Sequence, residues 1–365
     1  MLILIIFLLK MKMHPKTEVT LEGLENSINR GIDYLHDHQL PNGEFIVYLS
    51  GDDAMQSWTL PESCIFPASL IGHSLLTLKE DKRVKEILDK TAAFLIYQMD
   101  IGATWNHYTI LHRYRKVCPQ DLDDTACVSH FLRAMNADFS SEINKKLILD
   151  NKRKDGLFYT WITFRLKLNF NKLYWKLSFR ELKVPVKSLL FWRSADCKRN
   201  DVDAVVNANI LYYLGNSNET KPIVNYLIKI IKENKENDCD AWYRNPITVY
   251  YFISRNFTHC NNLNTIKKDL ISKVLKHQNK DGSFSKSSLE TALAISTLLN
   301  LNYMESEVFL AAKHLISNQK QRGNWNRWTL YYSGRRKRGT FGSEEITTGY
   351  CLEALAKLKP LLLPT

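Results

Sequence analysis

Apolar residues along this chain recur at the spacing of one helix face, and the helical stretches are separated by a repeated turn. The register apolar-x3-Gln-x3-Gly-x-aromatic is met by Leu35, Gln39, Gly43 and Phe45, by Val274, Gln278, Gly282 and Phe284, and by Leu315, Gln319, Gly323 and Trp325. Weaker copies are Phe94, Gln98, Gly102 and Trp105, with one extra residue before the aromatic, and Ile148, Lys152, Gly156 and Phe158, with Lys in place of Gln. A sixth is suggested around Ile228, Glu236, Asp240 and Trp242. Each copy closes one helical pattern and precedes another, as expected where Gly caps a helix C-terminus and the aromatic packs back under the turn. The repeating unit is therefore a helical hairpin.

The amphipathic members of these hairpins are predicted over residues 24–38, 82–98, 142–152, 222–233, 266–278 and 306–319. The segments that follow them, 62–78, 121–135, 203–214, 246–253, 287–299 and 344–358, are more apolar. Apolar helices alternating with amphipathic ones predict an inner ring inside an outer ring. Strand signals are few and short, so the expected fold is all-α, an (α/α)6 barrel of six hairpins. No Pro/Gly/Ser-rich linker divides the 365 residues, so residues 21–365 read as one domain after an N-terminal tail, 1–20. Because every inner helix follows the same kind of turn, all six N-termini should point to one end. That end would gather Glu62, Asp121, Asp123, Asp124, Asp203, Glu290, Glu344 and Glu345.

Acids in a first helical turn ordinarily cap free N–H groups and complement the dipole, which accounts for Glu62, Glu290 and Glu344. Asp121-Leu122-Asp123-Asp124-Thr125-Ala126 is different, because capping needs one acid and this stretch has three within four residues. Crowding raises the cost of ionising all of them, so one can stay protonated near neutral pH and act as a Brønsted acid.

The acid motif together with the Gln-x3-Gly-x-aromatic, QW-like turns resembles the class II terpene cyclases, the squalene–hopene cyclase and class II diterpene cyclase group among the α/α toroids. The resemblance spans about residues 24–358. It implies that Asp123 protonates an isoprenoid double bond, with Asp121 and Asp124 as supporting partners. Such a reaction makes a tertiary carbocation that water would quench, so it needs a dry cavity that folds the polyene first. Aromatic faces stabilise the migrating charge by roughly 0.5–2 kcal/mol each. Trp58, Tyr108, Trp161, Phe164, Trp328, Tyr331 and Tyr332 are candidates for that lining as well as for plain core packing, whereas Trp105, Trp242 and Trp325 belong to the repeat turns. Asn207 and Asn209 sit two apart on an inner helix and cannot both face the cavity; Asn207 is taken as the substrate-facing candidate.

Members of this group usually join two α-barrel domains, and this chain has length for one, so a lone barrel must close its own mouth. The stretch 161–200 interrupts the repeat spacing and interleaves ten Lys and Arg residues with aromatics such as Phe170, Trp175 and Trp192. It suits a membrane surface, a lid over a greasy substrate, or a solvated excursion packed on the barrel.

A net charge of +12 calls for an anionic partner such as a prenyl diphosphate or a bilayer; no nucleic-acid fingerprint accompanies it. Arg335, Arg336, Lys337 and Arg338 precede the last inner helix and either grip a diphosphate or form a basic loop. The seven cysteines are odd in number and scattered, as for reduced cytosolic thiols. The apolar run Leu2–Leu9 is too short to span a bilayer, and a peripheral membrane contact is the most it offers.

No metal site is expected. The related protein prenyltransferases hold zinc through Asp, Cys and His, but the helix from Ile346 to Cys351 offers no His, and Asp238-Cys239-Asp240 has one thiol. Magnesium would enter only as the chelate of a substrate diphosphate. Two other function classes share the pattern: a carbohydrate-active barrel using Asp123 with Glu344 or Asp203, and a non-catalytic isoprenoid or lipid binder.

Overall fold

The computed structural model describes residues 19–194 and 196–363. Most of the tail read over 1–20, including Leu2–Leu9, therefore lies outside the described residues; Val19 is buried, and Thr20 caps the first described helix by accepting from the Gly23 N–H.

Fourteen α-helices, five short 3-10 helices and six short strands make up the described regular structure. Six helices are buried on nearly every side: α2 (Phe66–Leu75), α4 (Leu122–Ala134), α8 (Ala204–Leu214), α10 (Pro246–Ser254), α12 (Ser288–Asn300) and α14 (Glu344–Leu358). They pack in that order, and α14 returns to α2, so the ring is closed. Around it lie α1 (Leu21–His38), α3 (Lys82–Tyr97), α5 (Ser141–Asp150), α9 (Lys221–Lys232), α11 (Lys267–Leu275) and α13 (Ser306–Asn318). These are half-exposed and amphipathic, as the alternation of patterns predicts. The fold is an all-α toroid.

The repeat residues work across the ring. Gln39 donates to the Gly43 carbonyl in its own turn and to the Ile87 carbonyl of α3, each at 3.1 Å. Gln278 bonds Gly282 and Glu307 of α13, and Gln319 bonds Gly323 at 2.7 Å and Ser27 of α1 at 2.9 Å. One amide thus fixes a turn and joins it to the next outer helix, and the last copy closes the outer ring on the first. Glycine is required for the same reason: Gly323 has φ +93°, and a Cβ there would stand 2.1 Å from the Arg30 carbonyl oxygen of α1. Trp325 is fully buried, and its indole N–H donates to the Leu315 carbonyl at 2.8 Å.

Most of the strands lie in the segments that lead into inner helices. A four-stranded antiparallel sheet runs β2 (Thr59–Glu62), β1 (Val47–Ser50), β6 (Thr340–Gly342), β5 (Tyr331–Tyr332). A separate pair joins β3 (Gln120–Asp121) to β4 (Trp161–Ile162). The stretch 161–200 folds as β4, α6 (Lys172–Ser178) and α7 (Pro185–Ser194). No helix among the described residues is long and apolar enough to cross a membrane.

Candidate active site

A cavity of about 790 Å3 opens at the end of the ring where the inner helices begin. Phe66, Tyr108, Trp161, Phe191, Trp242, Tyr243, Tyr331 and Phe341 contribute to its wall, and Asp121, Asp123 and Asp124 all line it. The size suits a small-molecule site, and the lining is mostly apolar with a few convergent polar groups. Tyr331 stacks on Phe341 at 5.0 Å and meets Phe66 edge-on at 5.7 Å, giving a rigid aromatic wall.

The three aspartates take different environments. Asp121 is the N-cap of α4, and its Oδ1 accepts from the Asp123 backbone N–H at 2.6 Å. Asp123, in the first turn of α4, accepts from Asn209 Nδ2 at 2.5 Å and from the Tyr243 hydroxyl at 2.6 Å. Asp124 keeps one buried oxygen without a partner, and its other oxygen stands 3.8 Å from His107 Nδ1. Burial pushes the His107 imidazole down to about 4, so at neutral pH this is a polar contact rather than an ion pair.

Burial, reinforced by neighbouring carboxylates, pushes Asp121 and Asp124 well above the usual carboxylate range. Burial also raises Asp123, against the opposing pull of the Tyr243 and Asn209 donors and the Arg255 charge. Burial thus favours the acid form of this carboxyl, while two donors stand ready to stabilise the carboxylate left when a proton departs.

Other hairpins supply these partners. Arg255, buried just beyond α10, donates to Asn209 Oδ1 and stacks over Tyr212 and Phe252 at 4.6 and 4.7 Å. Asp240 accepts from the Trp242 and Tyr243 backbone N–H groups and from that of Val205, which ties the loop carrying Tyr243 to α8. Asp203 accepts from Thr160 at 2.6 Å and from the Ala241 N–H at 2.8 Å, bracing the same junction.

The remaining sequence candidates divide. Trp58, Trp161 and Tyr331 line the cavity. Phe164 instead stacks on Phe179 at 5.2 Å within the insertion, and Trp328 lines a separate polar cleft beside Glu344. Asn207 is bonded to both backbone groups of Phe158, and it is Asn209 that reaches Asp123. The two-residue spacing had left room for only one of them. Arg335 and Arg336 are held by Asp201 and Asp196, respectively, whereas Arg338 of the same cluster lines the cavity. Arg113 and Lys187 join it there from two other segments, and no acid pairs with any of the three among the described residues.

Tyr243, Arg255 and His107 were not singled out from the sequence. Tyr243 could have been approached through Trp242, the aromatic of the faint sixth repeat, which itself lines the cavity. Arg255 carries no local signal. Glu290 is used in capping, accepting from Lys286 and Ser287, and Glu344 pairs with Arg327 at 2.7 Å. All seven cysteines are free, and burial pushes the cavity-lining Cys118 thiol well up, leaving it protonated. Among the described residues no group of three or more His, Cys, Asp and Glu side chains is arranged to hold a metal ion.

No protein-family model and no curated protein matches the chain. Several solved structures match its fold. The type II terpene cyclase MstE from Scytonema superposes with a TM-score of 0.68 at 16% identity, over 94% of this chain and 100% of that one. A protein from Actinoplanes gives a TM-score of 0.68 at 17% identity, over 92% and 99%. The ent-copalyl diphosphate synthase from Streptomyces platensis gives 0.54 at 14% identity, over 80% of this chain and 50% of that one. A possible member of the GH105 family from Salmonella enterica gives 0.57 at 10% identity, over 96% and 97%. With two terpene cyclases among these neighbours, the chain has a class II terpene cyclase-like α/α toroid fold.

Proposed function

We propose that this protein is an enzyme that cyclises a linear isoprenoid by protonating an alkene, with Asp123 as the general acid. The observation that carries the reading is the buried Asp123 carboxyl in an aromatic-walled cavity, with Asn209 and Tyr243 donating to its two oxygens. In the first step the Asp123 proton forms a C–H bond with one alkene carbon, and the π electrons leave a tertiary cation on the other. Successive alkenes then attack that cation, closing rings, until the C–H electrons beside the last cation form an alkene and the released proton passes to a water molecule at the cavity mouth, and solvent reprotonates the Asp123 carboxylate. The chain's own part is to fold the polyene, exclude water and stabilise the carboxylate that forms. Trp161, Tyr331 and Phe341 offer π faces to the cation.

The substrate end remote from the alkene is anionic in this reading. Arg113, Lys187 and Arg338 are exposed residues of the cavity lining, and no acid among the described residues pairs with them. A variant of the neighbour MstE has a structure in complex with its substrate geranylgeranyl dihydroxybenzoate, a prenyl chain on a benzoate. A carboxylate or a diphosphate would meet the same cations, the latter with a magnesium chelate if it brings one. Asp121 and Asp124 act as supporting partners of Asp123.

A two-carboxylate sugar chemistry built on Asp203 or Glu344 has less support, because Asp203 is held by Thr160 and Ala241 and Glu344 lies in the separate cleft. The test is incubation of wild type and Asp123→Asn with prenyl benzoates, prenyl diphosphates and free polyprenyl compounds of several lengths, with and without magnesium, read by mass spectrometry. A cyclic isomer made by the wild type and absent from the variant is the expected result. Equal binding by both proteins with no product from any substrate would make the barrel a binder.

A further inference from the structure

Arg255 opens the 3-10 turn Arg255–Thr258 that follows α10, and it is 6% exposed. Among the described residues its guanidinium forms no ion pair, and its Nε has no hydrogen-bond partner. The rings of Tyr212, Phe252 and Tyr251 stand 4.6, 4.7 and 5.5 Å from it. Such faces make a buried cation tolerable without cancelling its charge. Arginine is almost never buried without an anionic partner, so this position calls for a reason.

The contacts of the turn lead to Asp123. The Arg255 guanidinium donates to Asn209 Oδ1, and Asn209 Nδ2 donates to Asp123 Oδ1 at 2.5 Å. A guanidinium has donors only, so the amide must turn its oxygen to Arg255 and its nitrogen to Asp123. The flipped amide would face a cation with its own N–H groups. Next in the chain, Asn256 donates to the Ala208 carbonyl on α8 and to the Phe252 carbonyl on α10, each at 3.2 Å. The turn carrying Arg255 is thereby pinned to the helix carrying Asn209. The other titratable groups that bear on Asp123 are Asp121, Asp124 and Cys127 on and beside the start of α4, His107 and Tyr243 from two loops, and Tyr350 from α14. His107 is neutral at pH 7, whereas Arg255 stays charged.

We propose that Arg255 is a positioning residue for this acid: it fixes Asn209 as a donor and supplies the charge that the Asp123 carboxylate meets as its proton leaves. The inference rests on the reading of Asp123 as the general acid. At rest Arg255 lacks an anion, and proton transfer to the alkene creates one across a single amide. The interaction therefore grows toward the transition state instead of tightening substrate binding. Its pull on the Asp123 carboxyl is downward, against that of burial.

Arg255→Gln keeps a donor for Asn209 and removes the charge, Arg255→Met removes the charge and buries no polar atom, and Arg255→Lys keeps the charge. The carbonyl stretch of the Asp123 acid, isolated as the infrared difference between each protein and its Asp123→Asn counterpart and titrated with pH, reads the proton without any substrate. The midpoint is expected to rise by about one unit or more in the Gln and Met variants and to stay within about half a unit of wild type in Arg255→Lys. In cyclisation assays the two charge-free variants lose about tenfold or more in kcat, with the basic limb of the pH profile moved up and KM little changed, and Lys restores most of the rate. A midpoint and limb that stay put in the charge-free variants, whatever happens to kcat or the melting temperature, would reduce Arg255 to a structural part and overturn the proposal. An upward shift of equal size in Arg255→Lys would overturn it too. A wild type that cyclises nothing while the midpoints move as expected would count against the reaction assigned above and leave the coupling of Arg255 to Asp123 standing.

Discussion

Tyr243→Phe isolates one contribution to acidity. The hydroxyl donates to Asp123 Oδ2 at 2.6 Å, while the ring packs on Phe252 at 5.1 Å and lies 6.4 Å from Tyr331. Phe keeps the ring and removes only the donor. A hydrogen bond to a charged group is worth roughly 1.5–3 kcal/mol net, so the carboxylate formed by proton transfer loses about that much stabilisation. At 1.36 kcal/mol per unit, the Asp123 pKa rises by roughly 1–2 units and kcat falls by roughly 10- to 150-fold where proton transfer limits the rate. The loss does not come from the population of the acid, because a raised pKa keeps Asp123 protonated over a wider range. The basic limb of the kcat–pH profile therefore moves up, while KM changes little. The assay is steady-state cyclisation across pH with a solvent deuterium isotope effect to identify the limiting step. A kcat within twofold of wild type with the limb unmoved would refute the reasoning. A limb moving down would also refute it, since that outcome means the hydroxyl accepts from the neutral acid.

Arg338→Gln and Lys187→Gln should each raise KM for an anionic substrate by about tenfold with little change in kcat, and the difference should shrink at high salt because both cations are exposed. Asp203 titrates at about 6 in the fold against an ordinary 3.8, mainly through burial. Its folded pKa is raised, so the associated stability is complete below about pH 4 and lost as pH climbs through about 6, a difference of roughly 3 kcal/mol. Asp203→Asn keeps an acceptor for the Ala241 N–H, and denaturant titrations from pH 4 to pH 8 should show a flatter profile, with the variant more stable than wild type at the alkaline end. Gly323→Ala should cost at least about 2 kcal/mol, since Ala at positive φ is strained and its Cβ meets the backbone of α1; calorimetry would show it.

The ring was legible because its repeat residues act at short range and act alike. Gln39, Gln278 and Gln319 each bond a turn four residues on, so the same local problem left the same letters in the sequence. The four-stranded sheet left no such trace. Its strands are two to four residues long, and β1 pairs with β6 from the far end of the chain, so the pairing is decided by ring closure rather than by any local alternation. The insertion was recognisable as a break in spacing, but which of its residues reach the cavity depends on how α7 lies against the mouth.

For the site, the acidic run was readable because Asp121, Asp123 and Asp124 are neighbours in sequence. Their partners are not: Asn209 and Tyr243 approach from two other hairpins, and only the order of helices around the ring brings them to Asp123. The sequence also left a conflict at the start of α4, where the helix dipole lowers a carboxyl pKa and burial raises it. The structure resolves it by giving the carboxyls different positions. Asp121 serves the N-terminus, capping the helix through the Asp123 N–H, and leaves Asp123 free of that duty. Asp124, with a buried oxygen lacking a hydrogen-bond partner among the described residues, is pushed well up by burial and by the neighbouring Asp123 charge, against the smaller opposing pull of Arg115. Of the three, Asp123 alone combines burial with side-chain donors on both oxygens, so in the proposed reaction burial favours its acid form and the two donors stabilise the carboxylate that proton transfer leaves. Those two demands conflict for a solitary buried aspartate, and three in four residues allow both to be met.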